Sequence, residues 1–172
     1  MGTSYQTLLV AAAIEPVCDA LTAAGVDAIA LPAAPNRTAV IPREGALDFA
    51  DPGDLAERIG AGTGWATLAN VVEDSDWLQL EAYLEGRFVH RYRSDRPAPD
   101  DAARLAPFGT GEVDSGRLGR ALRGEFEGSG PVYAEFQHRL ILNALHLDPR
   151  GLTTAFRWAD TSDLPNSIRI SP

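Results

Sequence analysis

The sequence has no lysine, one cysteine, one methionine and three histidines among 172 residues. All 15 basic side chains are arginine. Without lysine there is no Schiff-base chemistry, no P-loop lysine and no lysine general base. Cys18, standing alone, forms no internal disulfide and excludes a four-thiolate zinc site. No serine sits in a Gly-x-Ser-x-Gly elbow. The apolar run from Leu8 to Ile14 is too short to span a membrane, lacks a basic leader and stops at Glu15. These absences read as a cytoplasmic protein with no membrane partner. The lack of lysine, with abundant Ala, Gly, Pro and Arg, fits a GC-rich and bacterial coding bias.

What is present is ordinary for a globular chain: 45% hydrophobic and 23% charged residues. A chain of this length buries about two thirds of its surface in one core, so residues 1–172 are expected to form a single α+β domain. The net charge is −9, and it is unevenly placed. Residues 1–86 hold 3 Arg and 13 acids, whereas residues 87–172 hold 12 Arg and 11 acids. Such a balance repels phosphate backbones, so no nucleic-acid partner is expected. The acidic half suits a basic protein.

Local patterns divide the first 73 residues into strand, helix, strand, strand, helix, strand. Thr7 to Ala11, Val26 to Leu31, Thr38 to Ile41 and Trp65 to Val72 read as strands. Pro16 opens one helix that Gly25 stops. Asp51-Pro52 starts the other as an acidic N-cap followed by proline. This is the βαββαβ order of ferredoxin-like domains. Trp77 to Leu84 and Phe88 to Ser94 then alternate as a hairpin about Glu85-Gly86. Residues 95–112, rich in Pro, Asp, Ala and Gly, are expected to be a mobile loop. Asp114 caps a short helix. Gly130-Pro131 starts a longer one with an apolar stripe of Val132, Phe136, Leu140, Ile141 and Ala144. Thr153 to Trp158 reads as a last strand, and residues 160–172 as an irregular tail. The expected fold is an antiparallel-dominated sheet of about six strands covered by four helices.

The chemistry-bearing patterns are weak. Glu135-x-x-His138 is half of a di-iron helix motif and has no second copy. His138 and His146 lie about 80° apart around a helix, unlike a zinc-protease pair, and are expected on the helix surface. Asp74-Ser75-Asp76 lacks the later ligands of a calcium loop. Gly60, Gly62 and Gly64 end a helix instead of opening one, unlike a dinucleotide loop. No catalytic residue, cofactor or metal is expected.

One strand concentrates unusual residues: His90, Arg91, Tyr92 and Arg93, opposite Trp77 and Tyr83. Arginine beside aromatic rings is a recognition pairing for anions and for protein hot spots. These six residues are the candidate binding site. They support a non-enzymatic binding or regulatory module with a protein partner, one version being an inhibitor or immunity-type protein. The alternative is a domain or enzyme that takes an anionic small molecule on the same strand. Burial favours the register that sets Leu80 opposite Tyr92 and Glu81 opposite Arg91. That register calls for a three-residue loop, with a bulge near Gly86. The oligomeric state is left open.

Overall fold

The computed structural model describes residues 2–45, 50–126 and 133–172. The chain runs β1 (Tyr5–Val10), α1 (Ile14–Ala23), β2 (Ala28–Ala34), β3 (Arg37–Pro42), α2 (Pro52–Gly60), β4 (Ala66–Glu73), β5 (Trp77–Leu84) and β6 (Arg87–Arg93). It continues through α3 (Asp101–Leu105), α4 (Ser115–Leu122), α5 (Ala134–Ala144) and β7 (Ile168–Ile170). Among the described residues the strands form one open, all-antiparallel sheet of seven, in the order β6-β5-β4-β1-β3-β2-β7. The sheet is thus one strand wider than expected. With three strands added outside β4 and β2, its order does not by itself establish a ferredoxin-like unit.

Each residue of β1 is buried, as befits a central strand flanked on both edges and packed on both faces. Leu8 and Val10 join the core under α1 and α2, with Val17, Leu21, Leu55 and Ile59. Tyr5 and Leu9 join the opposite core with Leu68, Leu80, Tyr92, Leu105, Leu118 and Ile141. The helices therefore form two layers with the sheet between them: α1 and α2 on one side, α3 to α5 on the other.

The helix starts follow local chemistry. The Asp51 carboxylate accepts the Asp54 amide at 2.9 Å, and Pro52 follows it. The Asp114 carboxylate accepts the Arg117 amide at 3.0 Å at the head of α4. Each bond satisfies an amide that a helix start leaves without a partner.

Several expectations need correction. Residues 153–158 form no strand; a 3-10 turn occupies Phe156–Trp158. The tail expected to be irregular instead supplies β7, which pairs with β2. The segment 95–112 holds α3 and a further 3-10 turn at Ala106–Phe108. Leu105 and Phe108 are buried in the core. The helix start expected at Gly130-Pro131, and Val132 of its stripe, lie outside the described residues.

Candidate functional site

The β5–β6 hairpin closes through two residues with positive φ, Glu85 at 52° and Gly86 at 76°. Both central residues of a tight hairpin turn need that conformation when its twist matches the strands. Leu84 pairs with Arg87 and Tyr83 with Phe88. The register then shifts, and Ala82 pairs with His90, Glu81 with Arg91, Leu80 with Tyr92 and Gln79 with Arg93. The far end has the register that burial favours. The expected three-residue loop is absent, because the extra residue is Val89, a bulge within β6. The slip therefore happens inside the strand, and the tip stays tight against α2.

The bulge decides where the six candidate residues point. His90 and Tyr92 face α3 to α5. His90 Nε2 lies 2.7 Å from Asp101 Oδ1, and this contact fixes the head of α3. Tyr92 is fully buried; its hydroxyl donates to Leu122 O at 2.7 Å and accepts from Gln137 Nε2 at 3.0 Å. Burial raises the Tyr92 hydroxyl well above the ordinary tyrosine range. Both residues hold the helical layer and reach no open surface together with the arginines.

Arg91, Arg93, Trp77 and Tyr83 lie on the opposite face. Glu81 ties Arg91 and Tyr83 together. Its carboxylate accepts Arg91 Nε at 2.7 Å, Gln79 Nε2 at 2.9 Å and the Tyr83 hydroxyl at 2.9 Å. The Arg91 guanidinium stands over the Phe88 ring at 5.3 Å, and Phe88 meets Tyr83 edge-on at 5.8 Å. Arg93 lies 5.8 Å from the Trp77 ring and pairs with Asp95. Tyr83 itself is buried beneath the first turn of α2, beside Gly53. Burial, and then the bond to Glu81, push its hydroxyl pKa up.

Between this half of the sheet and the head of α2 lies an open cleft of ≈ 470 Å³, lined by Gln6, Asp51, Val71, Glu73, Gln79 and Glu81 among others. Its central carboxylate, Glu81, is already engaged three times. Among the described residues, no group of three or more His, Cys, Asp or Glu is placed to hold a metal ion. At the rim, Leu84, Phe88 and Val89 are each about half exposed, at 51%, 50% and 51%. Leu84, at the end of β5, and Phe88 and Val89, on the terminal strand β6, surround the hairpin tip beside the exposed Arg87 and Arg91.

One buried group was missed by sequence reasoning. His138 is fully buried, with Nδ1 2.8 Å from the Tyr5 hydroxyl and the two rings stacked at 5.7 Å. Burial, aided by Arg139, pulls its pKa down to about 3. The expectation of a surface histidine fails because α5 is rotated. Gln137 and His138 face inward, where Tyr92 and Tyr5 supply partners, and Phe136 is 45% exposed. His138, Ile141 and Leu145 still follow helical spacing, so the phase was legible only if polar residues were admitted to the stripe.

No described helix is long and apolar enough to cross a membrane. Compared with family models, curated proteins and solved structures, the chain matches none of them, so its functional reading rests on its own residues.

Proposed function

We propose that the protein is a non-enzymatic binding module whose partner is another protein, engaged through the β5–β6 hairpin. One observation carries this reading: Leu84, Phe88 and Val89 are all exposed around the hairpin tip at the sheet edge, Leu84 and Phe88 on opposite faces, beside arginines that lie over aromatic rings. Exposed apolar side chains gathered at one place mark contact surfaces, and Arg and aromatic residues dominate their energetics. The small-molecule alternative needs His90, Tyr92 and an arginine to converge, and the strand sends them to opposite faces. A basic partner belongs to the same proposal. Glu15, Asp19, Asp54 and Glu57 are exposed on α1 and α2, and a partner reaching past the hairpin would meet them there. For the fold, we infer a ferredoxin-like unit over the first 73 residues. Its support is the βαββαβ element order with β4-β1-β3-β2 as neighbours.

Photo-crosslinking in the native host tests the contact. A photoreactive residue at Leu84 or Val89 should capture the same protein, whereas one at exposed Arg117 should not. The Phe88→Ser change should remove the adduct. Equal capture from all three positions, or none from the hairpin, would retire the reading.

A further inference from the structure

We propose that β6 accepts an eighth strand: an extended segment of a partner protein carrying two carboxylates two residues apart. This rests on the protein-partner reading above and specifies the segment that binds the hairpin, separate from the basic surface proposed to meet α1 and α2. Among the described residues, β6 is the terminal strand of the sheet and pairs only with β5. Ser94 N–H donates to Leu78 O at 2.9 Å. Antiparallel alternation then turns the backbone groups of Tyr92 and His90 toward β5, and those of Arg91 and Arg93 outward. The Arg93 carbonyl already accepts the Arg96 amide at 3.1 Å, so an extended chain laid along that edge would meet the Arg91 amide and carbonyl and the Arg93 amide, as in strand addition.

Charge selects the occupant. Arg91 uses only Nε, on Glu81, and its two terminal amino groups have no hydrogen-bond partner among the described residues. Arg93 gives Nε and Nη2 to Asp95, leaving Nη1. Arg87 has no ion pair among the described residues. Arg91 and Arg93 lie on one face two residues apart, so residues opposite them on an added strand are also two apart. Carboxylates at those positions would each meet a guanidinium already positioned by Glu81 or Trp77. A second copy of this chain fits poorly. Antiparallel self-pairing centred on His90 sets Arg87 against Arg93, and centring on Arg91 sets that residue against itself. Like charges directly opposite are unfavourable, and the Val89 bulge breaks the register a self-paired edge would need. The features that block self-pairing leave the unused terminal nitrogens of Arg91 and Arg93 open to an acidic strand.

The test is selection from a displayed library of random twelve-residue peptides on the full chain. Selected peptides are then made synthetically and measured by fluorescence anisotropy. Enriched sequences should carry acid-x-acid spacing. Their binding should weaken about tenfold in the R91Q/R93Q variant, as two exposed ion pairs are lost. N-methylating alternate peptide amides should abolish binding. Amide resonances of Arg91 and Arg93 should shift on titration. Both arginines are solvent-facing, and a thermal melt confirms that the variant folds.

Enriched peptides without the acidic pair, equal binding to the variant, shifts confined to other elements, or no enrichment would overturn the proposal. So would concentration-dependent self-association that moves the same two amides. In each case, hairpin-dependent crosslinking of a protein would leave the broader reading standing; its absence would retire that reading separately.

Discussion

Gly60, the last residue of α2, and Gly86, in the β5–β6 turn, meet backbone to backbone. A Cβ on Gly60 would lie 2.7 Å from Gly86 N, and a Cβ on Gly86 would lie 2.6 Å from Glu57 O. Gly86 also has a φ of 76°, a left-handed conformation that side chains resist. The hairpin tip is thereby clamped to α2, and the exposed apolar residues beside it are held in place.

Gly86→Ala should therefore destabilise the fold by about 1–3 kcal/mol, combining backbone strain with a clash against main chain. A lowered urea midpoint with an unchanged slope would be the expected result. An unchanged midpoint would show that the clamp is loose.

Leu80 and Glu81 are adjacent on β5 but face opposite layers. Leu80→Ala should cost about 2–5 kcal/mol, because Leu80 is buried at 1% exposure and its loss leaves a cavity. Glu81→Ala should cost about 1–2 kcal/mol. That exceeds the value for an exposed ion pair, since three donors lose their acceptor. Equal effects would contradict the register.

His138 should make the protein acid-sensitive. Its ordinary pKa of 6.5 falls to about 3 in the folded chain. Between those values the unfolded chain takes up a proton that the folded chain refuses. Stability is thus complete above pH 6.5 and declines as pH falls, by on the order of 1 kcal/mol per pH unit from this group. His138→Phe should be less stable at pH 7, where the Tyr5 hydroxyl loses its partner, yet show a shallower decline toward pH 4. Urea titrations of both proteins at several pH values measure the difference in slope.

Arg37 ties the β2–β3 turn to the segment after α3. Its guanidinium donates to Phe108 O at 2.8 Å, Asn36 O at 2.9 Å, Gly109 O at 3.0 Å and Pro107 O at 3.3 Å. A lysine has no such fork, so Arg37→Lys should lose about 1–2 kcal/mol. A broad-specificity protease should nick the wild type first within the exposed residues 95–100. In the variant, cleavage should spread to 106–110. Unchanged cleavage sites would show that Arg37 does not hold this loop.

The parts legible in the sequence were those set by local chemistry. Asp51-Pro52 and Asp114 announce their helices because a cap acts within three residues. Alternation along Trp77 to Leu84 announces a strand and separates Leu80 from Glu81. The rest depended on distant partners. Gln137 and His138 point inward only because Tyr92 and Tyr5 lie there. The Val89 bulge follows from a turn pinned under α2, a contact invisible along the strand. Grouping His90 and Tyr92 with Arg91 and Arg93 joined neighbours in sequence that the pleat sends to opposite sides. Arg91 and Arg93 remained together because their spacing of two matches it.

The pairing of β2 with β7 has a consequence for how the chain folds. Asp27 accepts Arg169 across a sequence separation of 142 residues, and Ala28 to Ala30 pair with Ile168 to Ile170. Until those late residues arrive, β2 presents an apolar edge of Ala28, Ile29, Ala30 and Leu31. Contacts so far apart form slowly, since loop closure precedes any gain from them. The newly made chain therefore passes through a period in which its stickiest edge is bare. Aggregation during synthesis should begin at that edge, at the opposite end of the sheet from β6.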